Sequence, residues 1–322
     1  MRRIAVLTSG GDAPGMNAGI RAVARCAVAQ GVEVVGIWHG FQGLCDGDLV
    51  PLDARAVSNI LQRGGTVLDT RRCEEFRYAS GRARALEFLE REGIEELVVI
   101  GGEGSFRGAV ALAEQGPIKV VGVPGTIDND VYGTDYTIGF DTAVNTAVEA
   151  IDRIRDTAEA LDRPFFVEVM GRTAGFIALE VGIASGAEDI LISETQTDLE
   201  QIYQHLEANL RKGKKSSIIV VAEGDETGGA FRIAAEVGAR VGLEYRVVIL
   251  GHIQRGGPPT ARDRVLASKL GVSAVEYLLE GREGHMVGEV AGKITFTPLA
   301  DTYSHGKNLD NYLLRMVRIL AT

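Results

Sequence analysis

Eight short apolar runs set the folding problem for this chain, at residues 4–7, 32–37, 97–100, 120–123, 165–169, 190–192, 218–221 and 247–250. They are rich in β-branched residues, and longer stretches with apolar residues at helical spacing lie between them, at 16–30, 82–91, 142–161, 199–212 and 262–279. Alternation of this kind builds parallel sheets covered by helices on both faces. The expected fold class is α/β. Glycine beside a polar residue follows strand after strand: SGGD at 9–12, GGEGS at 101–105, GTID at 125–128, MGR at 170–172, EGD at 223–225 and GHIQRGG at 251–257. Open parallel sheets bind ligands beyond the carboxyl ends of their strands, so six such segments point to one large cleft.

Composition removes several function classes. The chain has 322 residues, enough for two domains, and with 8 prolines and no Pro/Ser linker the two are expected to interleave. Its 34 basic and 44 acidic residues give a net charge of −10, the wrong sign for coating a nucleic-acid backbone. No apolar stretch approaches the roughly 18 residues of a membrane span, and the run at 4–7 is too short for a signal peptide, so a soluble chain without a membrane partner is expected. Cys26, Cys45 and Cys73 form no CxxC pair, which indicates neither a disulfide framework nor a zinc site and fits a reducing cytoplasm. GxxxxGK[ST], HExxH and GxSxG are absent, as is GxGxxG after the first strand.

Three segments carry chemistry. Residues 10–17, GGDAPGMN, join strand one to a helix, where free amides suit an anion or simply make a tight turn. The 101–105 loop repeats that logic and adds Glu103, a carboxylate able to hold magnesium or to sit solvated at a helix start. In PGTIDND at 124–130, extended backbone would point Asp128 and Asp130 the same way, giving one carboxylate for a hydroxyl and one for a cation; an Asx-rich turn is the alternative. Arg72, Arg172 and Arg255 beside glycines or strand ends offer bidentate phosphate contacts, and His252 with Arg255 before Gly256 and Gly257 suits a sugar phosphate.

Taken together, LTSGGDAPGMNAGIR, QRGGT, LVVIGGEGS, PGTIDND, GTDYTIGFDTA, VEVMGR and GHIQRGG make the chain resemble the bacterial ATP-dependent 6-phosphofructokinases almost end to end. The resemblance implies two similar lobes with mainly parallel sheets sandwiched by helices, the active site between them, and a cytoplasmic homotetramer. It implies an ATP lobe at 1–138 plus about 256–305 and a fructose 6-phosphate lobe at about 139–255 plus 306–322. Asp128 becomes the general base, with Thr126, Arg72, Arg172 and Gly11 completing the catalytic set. ATP with Mg²⁺ falls to Gly11, Arg72, Cys73, Gly102, Glu103, Gly104 and Ser105, with Glu103 facing the metal. The sugar phosphate falls to Thr126, Asp128, Asp130, Met170, Gly171, Arg172, Glu223, His252 and Arg255, and Arg163 and Arg246 match arginines that reach over from a neighbouring subunit. Arg21, Arg25, Arg155, Gly186, Glu188, Lys212, Lys214 and Lys215 match an effector site for ADP or phosphoenolpyruvate.

Departures from the family pattern carry their own expectations. Glu103 replaces the usual Asp, one methylene shorter, which bears on metal geometry and kcat. Ala54 and Ser216 stand where the effector site often has Arg and His, so effectors are expected to bind but couple differently. Pyrophosphate-using relatives have a bulky acid at position 104 and a lysine at 125, where this chain has glycines. Gly104 and Gly125 therefore favour ATP over the pyrophosphate alternative, and Asp128 argues against a non-catalytic sugar-phosphate-binding subunit.

Overall fold

The computed structural model describes residues 2–214, 216–225, 228–242 and 244–320. The chain forms two compact units, one of residues 1–127, 131–142 and 255–307, the other of residues 128–130, 143–254 and 308–322. Lys215, in the expected effector set, lies outside the described residues.

The first unit is built on a seven-stranded sheet. Its strands are β1 (Arg3–Thr8), β2 (Glu33–Ile37), β3 (Leu49–Pro51), β4 (Glu96–Gly101), β5 (Lys119–Pro124), β10 (His285–Val290) and β11 (Lys293–Pro298), in the order β11-β10-β5-β4-β1-β2-β3. The central strands are parallel, and β4 is buried along its whole length, the mark of a strand covered on both faces. Helices α1 (Met16–Ala29) and α9 (Ala261–Leu279) pack on each other at small residues. A Cβ on Gly271 would stand 2.8 Å from the Ala22 Cβ and 2.9 Å from the Gly19 carbonyl oxygen, so the crossing needs glycine there. Against the sheet, α4 (Glu103–Gln115) buries Phe106 completely, and truncating a side chain so placed costs about 3–5 kcal/mol.

The second unit carries four parallel strands, β6 (Pro164–Val169), β7 (Asp189–Leu191), β8 (Ser217–Ala222) and β9 (Arg246–Ile249), ordered β7-β8-β6-β9. Its helices include α6 (Phe176–Ser185), α7 (Leu199–Arg211) and α8 (Gly229–Val241). The long α5 (Phe140–Leu161) begins in the first unit and continues in the second. Both units are α/β with helix-flanked, mainly parallel sheets, as expected, though they differ in size.

All eight apolar runs are strands. The strands not expected, β3, β10 and β11, lie towards the edges of the first sheet, and β3 and β11 are antiparallel to their neighbours. The β10–β11 hairpin turns through Ala291 (φ 49°) and Gly292 (φ 74°), two consecutive left-handed residues. Tight hairpins need that geometry but signal it through Asn-Gly or Asp-Gly, not Ala-Gly.

Candidate active site

In the first unit the glycine segments converge at the carboxyl ends of β1, β4 and β5. Asn17, buried at the start of α1, donates to the carbonyls of Arg63 (3.1 Å) and Gly64 (3.2 Å) and accepts from the Val67 amide (2.7 Å). One amide side chain thus fixes the QRGGT loop that leads to Arg72 and Cys73. Gly64 is held against the Gly257 carbonyl, 2.3 Å from where a Cβ would stand. The Arg255 guanidinium lies over Gly11 and donates to the Asp12 carbonyl (3.2 Å), filling the space that a Cβ on Gly11 would occupy. Arg255, assigned by resemblance to the sugar phosphate, therefore lies on the loop assigned to ATP.

The GGEGS loop turns from β4 into α4. A Cβ on Gly101 would meet the Ser105 Oγ at 2.4 Å and the Ser9 carbonyl at 2.6 Å, which ties this loop to the SGGD loop. Beyond Gly104 there is open space, with nothing within 4 Å of a Cβ there. Gly125 is the opposite case, its Cβ position lying 2.9 Å from Ile100 Cγ2. Glu103 opens α4, half-buried, and accepts from Arg107 Nε (3.0 Å) and Nη2 (2.6 Å). Thr126 sits beside Gly102, its carbonyl accepting from the Thr137 hydroxyl at 2.6 Å.

In the second unit, Asp128 is 2% exposed and Arg172 Nε stands 3.4 Å from its Oδ2. Asn129 is left-handed (φ 55°), so the Asp128–Asp130 stretch bends and the extended backbone expected there does not form. Asp128 is buried, Asp130 half-buried, and their sharing of one face is withdrawn. Arg172 is itself left-handed (φ 54°). Glu223 Oε1 accepts from its amide (2.7 Å) and from that of Gly171 (3.3 Å), and the absence of a Cβ on Gly224 makes room for the Arg172 carbonyl. Gln254, fully buried, accepts from the Met170 amide at 2.8 Å. The MGR loop is thus clamped from β8 and from the GHIQRGG segment, where His252 is exposed on a short helical turn (Gly251–Arg255).

Arg163 and Arg246 do not join this group. Arg163 precedes β6 and pairs with Glu244 (2.6 Å), while Arg246 opens β9 opposite Phe165. Both lie at the amino edge of the sheet, a strand length or roughly 20 Å from Gly171 and Glu223. A second cluster gathers four of the eight residues expected for the effector. Arg155 donates to the carbonyls of Ser185 (2.7 Å) and Gly186 (3.0 Å) and stands 3.7 Å from Glu188, which also pairs with Lys214 and accepts from the Ile218 amide (2.6 Å). Lys212 is exposed at the end of α7, while Arg21 and Arg25 stand one turn apart on α1 in the first unit.

Two polar anchors were not foreseen. Asp263 of α9 is 1% exposed and accepts from the Gly139 and Thr142 amides (both 2.9 Å) and from the Thr142 hydroxyl, capping α5; burial raises its pKa against these hydrogen bonds. Gln254 was visible within GHIQRGG, but nothing in that segment says which side chain turns inward.

The family described as Phosphofructokinase matches residues 3–278. The chain belongs to the phosphofructokinase family. It is 59% identical to the ATP-dependent 6-phosphofructokinase 1 of Thermus thermophilus over 321 residues, covering 100% of both chains. It is 54% identical to the ATP-dependent 6-phosphofructokinase of Halalkalibacterium halodurans, covering 98% of each. Among solved structures, phosphofructokinase from Saccharomyces cerevisiae superposes with a TM-score of 0.89 at 37% identity; the match covers 94% of this chain and 45% of that one. A pyrophosphate-dependent phosphofructokinase from Marinobacter aquaeolei shares the fold, with a TM-score of 0.86 at 24% identity, covering 97% of this chain and 86% of that one. No helix among the described residues is long and apolar enough to cross a membrane.

Proposed function

We propose that this chain transfers the γ-phosphoryl group of ATP to the 1-hydroxyl of fructose 6-phosphate, giving fructose 1,6-bisphosphate and ADP. The observation that carries the reading is the buried Asp128 carboxylate beside Arg172, in a chain matched end to end by ATP-dependent 6-phosphofructokinases. A desolvated carboxylate within reach of the sugar accepts the hydroxyl proton as that oxygen attacks phosphorus. The Arg172 guanidinium orients the Asp128 carboxylate and, with Arg72 and Thr126, balances the charge that spreads over the phosphoryl oxygens.

The first unit takes ATP, through Gly11, Arg72, Cys73 and the 102–105 loop. The second takes the sugar phosphate through Met170–Arg172, Glu223 and His252, and Arg255 is assigned to the same ligand. The open space beyond Gly104 leaves room for a nucleotide where an acidic side chain would intrude, which supports ATP as the donor. Glu103 fits a magnesium ion that arrives on the donor phosphates, since Mg²⁺ keeps waters and needs only one or two carboxylates. When bound, such an ion would neutralise charge on the donor phosphates. The exposed Arg107 contact is of the weak class and yields readily.

Arg163 and Arg246, on the far edge of their own sheet, serve a neighbouring subunit's sugar phosphate, which requires an oligomer, here a homotetramer. The Arg155–Glu188–Lys214 cluster with Lys212 receives ADP or phosphoenolpyruvate at an intersubunit site, to which Arg21 and Arg25 contribute from a neighbouring subunit. The reading is tested by Asp128→Asn, which keeps size and removes the base. Loss of at least about 100-fold in kcat with fructose 6-phosphate affinity little changed is expected; retention of the full rate would remove Asp128 from the role.

A further inference from the structure

Two of the three cysteines meet. Cys45 on α2 (Phe41–Asp46) and Cys73 in the loop after Arg72 are 28 residues apart, yet their sulfurs stand 3.8 Å from each other. A disulfide needs about 2.05 Å, so closure asks for a sulfur displacement of under 2 Å, within reach of a side-chain rotation and a small loop shift. The two segments are held in register by their neighbours: Phe41 at the start of α2 stacks on Phe76, three residues after Cys73, with ring centroids 4.3 Å apart. The thiols are not equivalent. Cys73 is half-exposed on irregular backbone, whereas Cys45 is buried among Phe41, Phe76 and Phe88. Burial, then the neighbouring Cys73 sulfur, push the Cys45 thiol up to about 12. Cys73 is therefore the sulfur that an oxidant reaches first, and Cys45 the one that resolves. Cys26 is remote from both, on α1 against the Val272 carbonyl.

We propose that Cys45 and Cys73 are a redox pair that a peroxide converts to a disulfide, and that the bridge reversibly blocks phosphoryl transfer by pulling Cys73 and the adjoining Arg72 towards α2. The Cys73 thiolate attacks one peroxide oxygen and the O–O bond breaks, giving Cys73 sulfenic acid and a hydroxide that takes up the proton released by the Cys73 thiol and leaves as one water. The Cys45 sulfur then attacks Cys73 Sγ and displaces the hydroxyl, which leaves as a second water with the Cys45 proton. The sum is two thiols and one hydrogen peroxide going to one disulfide and two waters. The chemical step stands on sulfur geometry alone; the block on activity rests on the proposed role of Arg72.

The test treats the folded full chain with a small molar excess of hydrogen peroxide, then maps peptides without reduction and measures the rate with ATP and fructose 6-phosphate. The expected result is a Cys45–Cys73 linked peptide, two thiols lost, Cys26 still free, and a rate reduced at least about tenfold, since misplacing a positioned group by an ångström costs up to about 100-fold. Dithiothreitol restores the rate. Cys45→Ala, which lies outside the proposed catalytic and binding sets, is expected to keep the untreated rate, form no link, and lose activity beyond recovery by dithiothreitol as Cys73 proceeds to sulfinic acid. Cys45→Ser repeats the test if the alanine variant folds poorly. Unlinked Cys45 and Cys73, or linkage through Cys26, would overturn the pair. A linked chain with an undiminished rate would overturn the switch while leaving Asp128 and the proposed reaction untouched.

Discussion

Arg172 occupies backbone that costs a non-glycine residue about 1–2 kcal/mol, and the structure shows what offsets it. Glu223 Oε1 accepts from the Arg172 and Gly171 amides, at 2.7 and 3.3 Å. A hydrogen bond to a charged acceptor nets about 1.5–3 kcal/mol; Glu223 is exposed, which sets the value at the lower end. Glu223→Ala should therefore release about 1.5 kcal/mol of restraint, shifting the loop's equilibrium about tenfold away from the competent form. The KM for fructose 6-phosphate should rise several-fold, up to about tenfold, in steady-state assays. Glu223→Gln keeps an acceptor oxygen and should recover most of that loss. Because Glu223 is also a proposed substrate contact, amide exchange of the ligand-free protein separates the two effects: Gly171 and Arg172 should lose protection in the alanine variant. Unchanged exchange at those amides, or a glutamine variant as impaired as alanine, would refute the clamp.

Asp263→Ala removes the cap of α5 and strands buried amides, so stability should fall by about 2–4 kcal/mol, read as a lower denaturant midpoint with loss of amide protection at Gly139 and Thr142. Asp189 is pushed up to about 6 by burial, against its hydrogen bond with His205 (2.7 Å). The folded chain thus holds a proton that the unfolded chain releases, a contribution fully present below about pH 4 and lost as pH rises through 6. In Asp189→Asn that loss should vanish, so the wild-type midpoint should fall relative to the variant's between pH 4 and 7; parallel curves would refute it. Gly104→Asp places a carboxylate in open space proposed for the donor phosphates, and kcat/KM for ATP should fall at least about tenfold through like-charge repulsion; an unchanged value would empty the donor argument.

Strands buried on both faces, such as β4 and β8, were legible because their apolar runs owe nothing to a partner. The β10–β11 hairpin was not, since Ala291 adopts a left-handed turn through tertiary context rather than propensity. Within the candidate site, residue types and chain order pointed to phosphate chemistry, but local geometry escaped the sequence: Asn129 bends the DND segment and undoes the period-two argument for Asp128 and Asp130. Long-range pairings were invisible for the same reason. Nothing in their spacing announces that Cys45 touches Cys73, that Gln254 holds Met170, or that Arg163, just before β6, and Arg246, at the start of β9, lie at the edge away from Arg172.

Fructose 1,6-bisphosphate formation from fructose 6-phosphate and magnesium, assayed in parallel with ATP and with pyrophosphate, decides which phosphoryl donor this chain uses. Turnover with ATP and none with pyrophosphate is the predicted result. Turnover with pyrophosphate alone would contradict the donor assignment, and turnover with neither would contradict the proposed reaction.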